Sequence, residues 1–299
     1  MPTTSPQNFS PKFSMPAQMR LGAVHLRVSK LTRSLDFYTR TLGLTQIKTT
    51  PEVTPSQAVL GAKDREPLLV LTELADPRPK PAGRTGLYHF AILFAHRQDL
   101  GRALMRLAQA RYPLQGASDH RVSEALYLAD PDGNGIELYW DRPRAQWPMI
   151  GDEVRMDTLA LDLDDLIADG RRAEAWDHVP ASTVMGHVHL HVGHIAQAEQ
   201  FYCQTVGLDL IQRVGVSALF LSAGGYHHHV GANIWAGVGA PPTPDNAPGL
   251  DHWTLILPAQ ADLDAFTAHL RADAVPHERS EHGVMLSDPS ANRVLVRVG

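Results

Sequence analysis

The chain has 299 residues, 43% hydrophobic and 20% charged, with a formal net charge of −5. That length suits two domains or one large one with a sizeable core, and 27 basic against 32 acidic residues give no basic field for nucleic acid or an anionic membrane. A single cysteine, Cys203, excludes an intramolecular disulfide framework and suits a reducing compartment, and no apolar run approaches the ~18 residues of a membrane span.

Residues 1–18, rich in Ser, Pro, Thr and Gln without an apolar stretch, predict a loose tail on a cytoplasmic protein. A strand is expected at 21–28, then an amphipathic helix at 31–42 ended by Gly43, then strands at 58–60 and 68–74. Next come a strand at 87–94, a helix at 99–110, and strands at 125–129 and 135–140. Residues 143–184 open with Pro143 and read as a linker with one modest helix at 159–168, where Glu153 and Asp157 are solvated charges. The pattern then resumes with a strand at 186–192, a helix at 195–206 ended by Gly207, and strands at 218–221 and 230–235. It closes with a strand at 250–257, a helix at 263–272, and strands at 284–286 and 293–298.

The two halves repeat. VHLRV at 24–28 answers to VHLHV at 188–192, and FY at 37–38 with GL at 43–44 answers to FY at 201–202 with GL at 207–208, all at an offset of 164. YHF at 88–90 pairs with DHW at 251–253, and DPDGN at 130–134 with DPSAN at 288–292. Four echoes in one order indicate duplication. They define four βαβββ modules, near 20–75, 86–142, 185–237 and 249–299, in a first domain at 19–142 and a second at 185–299.

Sixteen histidines stand out, since histidine is the commonest metal ligand and a ready acid/base. Two imidazoles and a carboxylate on one face of an ion leave three positions open, the arrangement of non-haem iron(II) oxygenases. Strands suit that task because alternate residues point the same way. His187, His189 and His191 share one face, as do Glu137 and Tyr139, while His89 begins the first strand of its module as His187 does. Glu137 lies between Ile136 and Leu138, where an unpaired carboxylate would be costly. His25 reads as a hydrogen-bonded core residue, the FY pairs as helix core, and Cys203, inside a helix without a cationic neighbour, as inert.

The module pattern, the FY…LGL helix and the DPDGN turn resemble the vicinal oxygen chelate superfamily, over nearly the whole chain apart from tail and linker. More narrowly, GASDH at 116–120, EALYLADPDGNGIELYWDRP at 124–143, GHVHLH at 186–191 and GGYHHH at 224–229 resemble two-domain bacterial catechol 2,3-dioxygenases, the histidine-rich strings being the more specific. The resemblance implies an α+β fold of two barrels or half-barrels, in which two modules close around a metal. Its ligand positions fall here on Ala23, on His89 and Glu137, on His187, and on His252 and Leu295. The usual extradiol carboxylate of module 4 is therefore replaced by Leu295. Only modules 2 and 3 together supply a complete set, His89, Glu137 and His187, so these two are expected side by side, with His252 either a vestigial ligand position or core.

The resemblance further implies iron(II), with manganese(II) as the alternative metal, and extradiol cleavage of a catechol with O2 to a 2-hydroxymuconic semialdehyde. It assigns His227, His228 and His229 to the active site. If they open a strand, His229 faces the substrate with His227 and Asn233 and is the acid/base, and His228 takes that role if a bulge shifts the register. His120, His189, His191, His227 and Asn233 are expected around the substrate, and Tyr139 near the metal. No nucleic-acid or membrane partner is expected, and a homo-oligomer is left open. The rival readings are a glyoxalase-like lyase or isomerase, which usually wants two carboxylates, and a non-catalytic binding protein, which would not need a metal triad.

Overall fold

One face of each first strand lies on a common core, so its inward-facing residues are apolar. In the computed structural model, which describes residues 13–48, 54–63, 65–151 and 153–299, the fold is α+β, with four βαβββ modules in two curled sheets. Module 1 holds β1 (Arg20–Val28), α1 (Leu31–Asp36) continuing as a π-helical turn (Phe37–Thr41), β2 (Thr45–Gln46), β3 (Gln57–Gly61) and β4 (Pro67–Glu73). Module 2 holds β5 (Gly86–Phe94), α2 (Arg97–Gln109), β6 (Gly116–Asp119), β7 (Ser123–Ala129) and β8 (Gly135–Asp141). Between the halves lie β9 (Met149–Ile150), β10 (Glu153–Val154), β11 (Leu159–Ala160) and α3 (Leu163–Gly170). Module 3 holds β12 (Val184–His191), α4 (Ile195–Gln200) with its π-helical turn (Phe201–Val206), β13 (Asp209–Val214), β14 (Ala218–Ser222) and β15 (Val230–Asn233). Module 4 holds β16 (Gly249–Leu257), α5 (Gln260–Ala272), β17 (Glu278–Ser280), β18 (Gly283–Ser287) and β19 (Arg293–Val298). Among the described residues no helix is long and apolar enough to cross a membrane.

Neither large sheet is built from one half of the chain. One runs β17-β18-β19-β16-β1-β4-β3-β2 and joins modules 4 and 1 through the antiparallel pair β16–β1. The other runs β11-β6-β7-β8-β5-β12-β15-β14-β13 and joins modules 2 and 3 through the antiparallel pair β5–β12. Phe90 and Ile92 of β5, and Val188 and Leu190 of β12, face the core with their counterparts from the other sheet. Each such side chain contributes about 1.5–3 kcal/mol by burial. The alternate residues, His89 and Ala91 on β5 and His187 and His189 on β12, fall on the opposite, concave face.

The FY and DP motifs are more than helix core and turn. Tyr38 Oη donates to Asp130 Oδ2 at 2.8 Å, and Tyr202 Oη to Asp288 Oδ2 at 3.1 Å, all four residues being buried. The same aspartates fold their own turns: Asp130 Oδ1 accepts from the backbone N–H of Asp132 and Asn134, and Asp288 Oδ1 from Ser290 and Asn292. These bonds tie module 1 to 2 and module 3 to 4, the pairs that the sheets leave unjoined.

The chain departs from expectation in four places. Of the loose tail, residues 1–12 lie outside the described residues, but Phe13 packs on Phe266 and His269, and Met15 N–H donates to Gly207 O. The helix between the halves begins at Leu163 instead of 159, because Asp162 caps it through Asp165 N–H and β11 is drawn off to pair with β6. This segment is no bare linker, since α3 sits against α2 at Gly101 and Gly170, where any Cβ would strike backbone. The short or polar strands β2, β6, β13 and β17 carry too little apolar alternation to be read from sequence. The last strand of module 3 stops at Asn233, leaving Trp235 in the turn beyond.

Tyr38→Phe and Tyr202→Phe each remove a donor from a buried carboxylate. Each should lower the unfolding free energy by about 1.5–3 kcal/mol, read by urea denaturation. A loss below about 0.5 kcal/mol, the range of ordinary surface changes, would deny these bonds their joining role.

Candidate metal centre

Three strands bring the triad together. On β5, Ala91 lies opposite His187 of the antiparallel β12 and beside Glu137 of the parallel β8, so a methyl group separates the two larger side chains in one row. His89, two residues before Ala91, rises on the same face. Nε2 of His89 and Nε2 of His187 each lie 3.1 Å from Glu137 Oε2, and the three ligand atoms are within 4.8 Å of one another. All three side chains are buried.

The donor set suits a divalent ion. His89 Nε2 is buried and, though 3.1 Å from Glu137 Oε2, not aligned for a hydrogen bond, and two imidazoles and one carboxylate oxygen converge on a single point. Burial pushes the Glu137 carboxyl up, but the His187 and His89 imidazoles outweigh it and hold the group well below the usual carboxylate range. Burial pushes His187 below the usual imidazole range. Both groups are then in the forms that ligate, carboxylate and neutral imidazole.

The triad opens on a cavity of about 730 Å³, reached by His89 and Glu137 from its floor. Tyr88, Phe220 and Trp235 supply apolar walls, and the connector adds Met156–Thr158 to the rim. His120 lines the cavity, held by Asp157 O at 2.7 Å on Nδ1 and by Tyr127 Oη at 2.6 Å on Nε2. Asp157 is therefore not simply a solvated charge, for its carboxylate also pairs with Arg121 and Arg155, whereas Glu153 is exposed. His189 lines the cavity between Tyr88 and Phe220, its Nε2 buried without a partner.

The run 227–229 does not open a strand. Gly224 and Gly225, at φ +65°, turn the chain after β14, and the three histidines follow in irregular backbone until Val230. Alternation therefore fails, and His228 faces the cavity instead of His229. His229 turns to Ser222 Oγ, 2.9 Å from its Nδ1, and burial holds its imidazole down at about 3. His227 is fully buried, with Nε2 2.8 Å from Asp141 Oδ1 and Nδ1 2.8 Å from His228 Nδ1. Tyr139 packs its ring against His187 at 4.9 Å in a tilted contact, but its hydroxyl meets Tyr226 Oη, and it does not line the cavity. His191 and Asn233 bond each other at 2.7 Å, also off the cavity. Sequence reading missed Tyr127, Asp141 and Tyr226. Tyr127 sits opposite Glu137 on β7, and Asp141 lies four residues beyond Glu137 on β8, so strand alternation carried a signal for both.

The other sheet carries the degenerate counterpart. Thr254 pairs with Leu295 where Ala91 pairs with Glu137, and Val24 pairs with Trp253 where Val188 pairs with Phe90, which puts Ala23 in the position of His187. His252 bonds Asp251 at 2.6 Å and stacks on His25 at 3.8 Å. His25 is thus held by ring stacking where a hydrogen bond was expected. Cys203 is half-buried, and burial pushes its thiol up to about 12, in keeping with an inert cysteine.

Two curled sheets of βαβββ modules, one carrying at its concave face a buried His–Glu–His group that could hold a metal ion, define the class of protein. The model of the Glyoxalase/Bleomycin resistance protein/Dioxygenase superfamily matches residues 20–138 and 184–294, and the chain belongs to this superfamily. It is 44% identical over 273 residues to the catechol-2,3-dioxygenase of Bacillus subtilis (strain 168), covering 90% of this chain and 93% of that protein. In fold it is similar to a candidate dioxygenase from Bacillus subtilis, with TM-score 0.64, 13% identity and coverage of 95% and 86%. Glyoxalase I from Zea mays gives TM-score 0.56, 14% identity and coverage of 93% and 92%.

His89→Ala, Glu137→Ala and His187→Ala should each weaken metal binding by more than the 10–100-fold that loss of an outer partner costs, whereas His252→Ala should leave metal content unchanged. Elemental analysis after gel filtration measures both. Loss of metal in His252→Ala with Glu137→Ala fully loaded would move the site to the sheet shared by modules 4 and 1.

Proposed function

We propose that this chain is an iron(II)-dependent extradiol dioxygenase that opens the ring of catechol or a substituted catechol with O2, giving a 2-hydroxymuconic semialdehyde. The observation that carries this reading is the triad of His89, Glu137 and His187 beside a cavity-facing histidine, His228. The 44% identity to a catechol-2,3-dioxygenase supports it. An iron(II) ion held by the triad would supply a Lewis acid for two vicinal oxygens and an electron relay between ring and dioxygen.

The side chains supply the rest. Tyr88, Phe220 and Trp235 offer apolar surface to an aromatic ring and keep water from it. His228 has its Nδ1 engaged by His227, so Nε2 is the nitrogen left to take a phenolic proton and return it later. Burial and the neighbouring His187 push the His228 imidazole well below its usual range, so it is unprotonated before substrate binds. His229, turned to Ser222, has no such access. His120, braced by Tyr127 and Asp157, and His189 are further polar groups on the cavity wall, where they would meet a substrate. A glyoxalase-type reaction would call for a second carboxylate in the metal group, and among the described residues only Glu137 is there.

Iron-loaded protein in an oxygen electrode should consume one O2 per catechol and yield a yellow product. No uptake across a panel of catechols, with metal verified in the protein, would sink the reading, and turnover of a hemithioacetal would promote the glyoxalase one. His228→Gln should slow turnover about 10²–10⁴-fold with iron retained, and His229→Gln less than about tenfold. The reverse ranking would restore His229 as the acid/base.

A further inference from the structure

Behind His228 runs a partly buried chain of polar groups that none of the roles above uses. Asp141, at the end of β8, receives two bonds: Tyr226 Oη donates to Oδ2 at 2.8 Å, and His227 Nε2 lies 2.8 Å from Oδ1. Tyr139 Oη is 2.8 Å from Tyr226 Oη. On its other side, His227 meets His228 through the two Nδ1 atoms at 2.8 Å. His227 is fully buried, and Trp147 packs against both it and Tyr226.

With His227 neutral, proton counting sets the direction of each bond from Asp141 to His228. A carboxylate only accepts, so His227 Nε2 carries the proton it gives to Asp141. A neutral imidazole has one N–H, which leaves His227 Nδ1 as an acceptor. His228 Nδ1 must then be the donor, and its remaining nitrogen, Nε2, has no proton. The opposite polarity would require a second proton on His227, so the polarity described is that of a neutral His227.

We propose that Asp141 and His227 are positioning residues that hold His228 in the Nδ1–H tautomer, so that an unprotonated Nε2 faces the cavity. The inference rests on His228 as the acid/base group of the proposed reaction. It assigns Asp141 a task unlike that of a merely structural carboxylate, because the proton on a ring two residues away along the chain of bonds depends on it. Tyr226 sharpens the dependence. With Asn at 141, the Tyr226 hydroxyl holds the amide oxygen, which turns the NH2 toward His227 Nε2. His227 must then carry its proton on Nδ1 and donate to His228 Nδ1, and the proton of His228 moves to Nε2. The base becomes a donor with its geometry unchanged.

The test needs no turnover. Full-length, metal-free protein labelled with 15N-histidine is studied by long-range 1H–15N correlation, with the His228 signals assigned by their loss in His228→Gln. In the unsubstituted protein Nδ1 of His228 should be pyrrole-type and Nε2 pyridine-type, and Asp141→Asn should exchange them. An Nε2–H tautomer in the unsubstituted protein overturns the proposal without any variant. An unchanged tautomer in Asp141→Asn overturns it too. In parallel, iron-loaded Asp141→Asn should lose about 10²–10⁴-fold in kcat, with KM and iron stoichiometry near those of the unsubstituted protein, as the wrong tautomer costs about 10⁴-fold in a Ser–His–Asp triad. A full kcat in a variant whose tautomer has flipped also overturns it. Failure of the functional reading would look different: the unsubstituted protein would show no oxygen uptake while its tautomer was still as described.

Discussion

The pairing of β5 with β12 is the constraint on which the site depends. It is an antiparallel contact between strands from opposite halves of the chain, and it sets His187 opposite Ala91 and His189 opposite His89. A slip of one residue would send the histidines into the core and Val188 and Leu190 to the cavity. That slip is prohibited by the apolar faces of both strands, so the same burial that holds the fold also sets the metal ligands. Ala91 matters by being small: it lets His187 and Glu137 reach past it to one point.

The modules form a closed cycle of two alternating kinds of contact. Sheets join 2 to 3 and 4 to 1, while the Tyr38–Asp130 and Tyr202–Asp288 bonds join 1 to 2 and 3 to 4. Duplication explains why each contact occurs twice, and chemistry explains why only one concave face keeps the triad. A buried carboxylate is tolerated when imidazoles or an ion share its charge. The site with Ala23 in place of His187 has lost one of its two imidazoles, and there Leu295 fills the position of Glu137 with apolar surface. His252, left over, is absorbed by Asp251 and by stacking on His25.

The segment between the halves does more than span them. β11 extends the sheet that holds the triad, Asp157 braces His120 through its backbone oxygen, and Met156–Thr158 form part of the cavity rim. Duplicated modules would share a cavity of much the same outline in both sheets. The unduplicated connector is one of the elements that distinguishes the two.

Much was legible without coordinates. The repeat, the module pattern and the facing positions of His187, His189 and Glu137 follow from alternation along regular strands. The choice of His89, Glu137 and His187 followed from the ligand positions that the family resemblance implies, together with Leu295 being unable to bind a metal. The direction in which 227–229 point was another matter. Two glycines in left-handed conformation, bonds from Ser222 and Asp141, and packing on Trp147 turn His228 to the cavity and its neighbours away. Tyr139 likewise shares a strand face with Glu137, yet its longer reach takes the hydroxyl to Tyr226. Periodicity governs side chains only while the backbone is a regular ladder; where it is not, contacts distant in sequence decide where each one points.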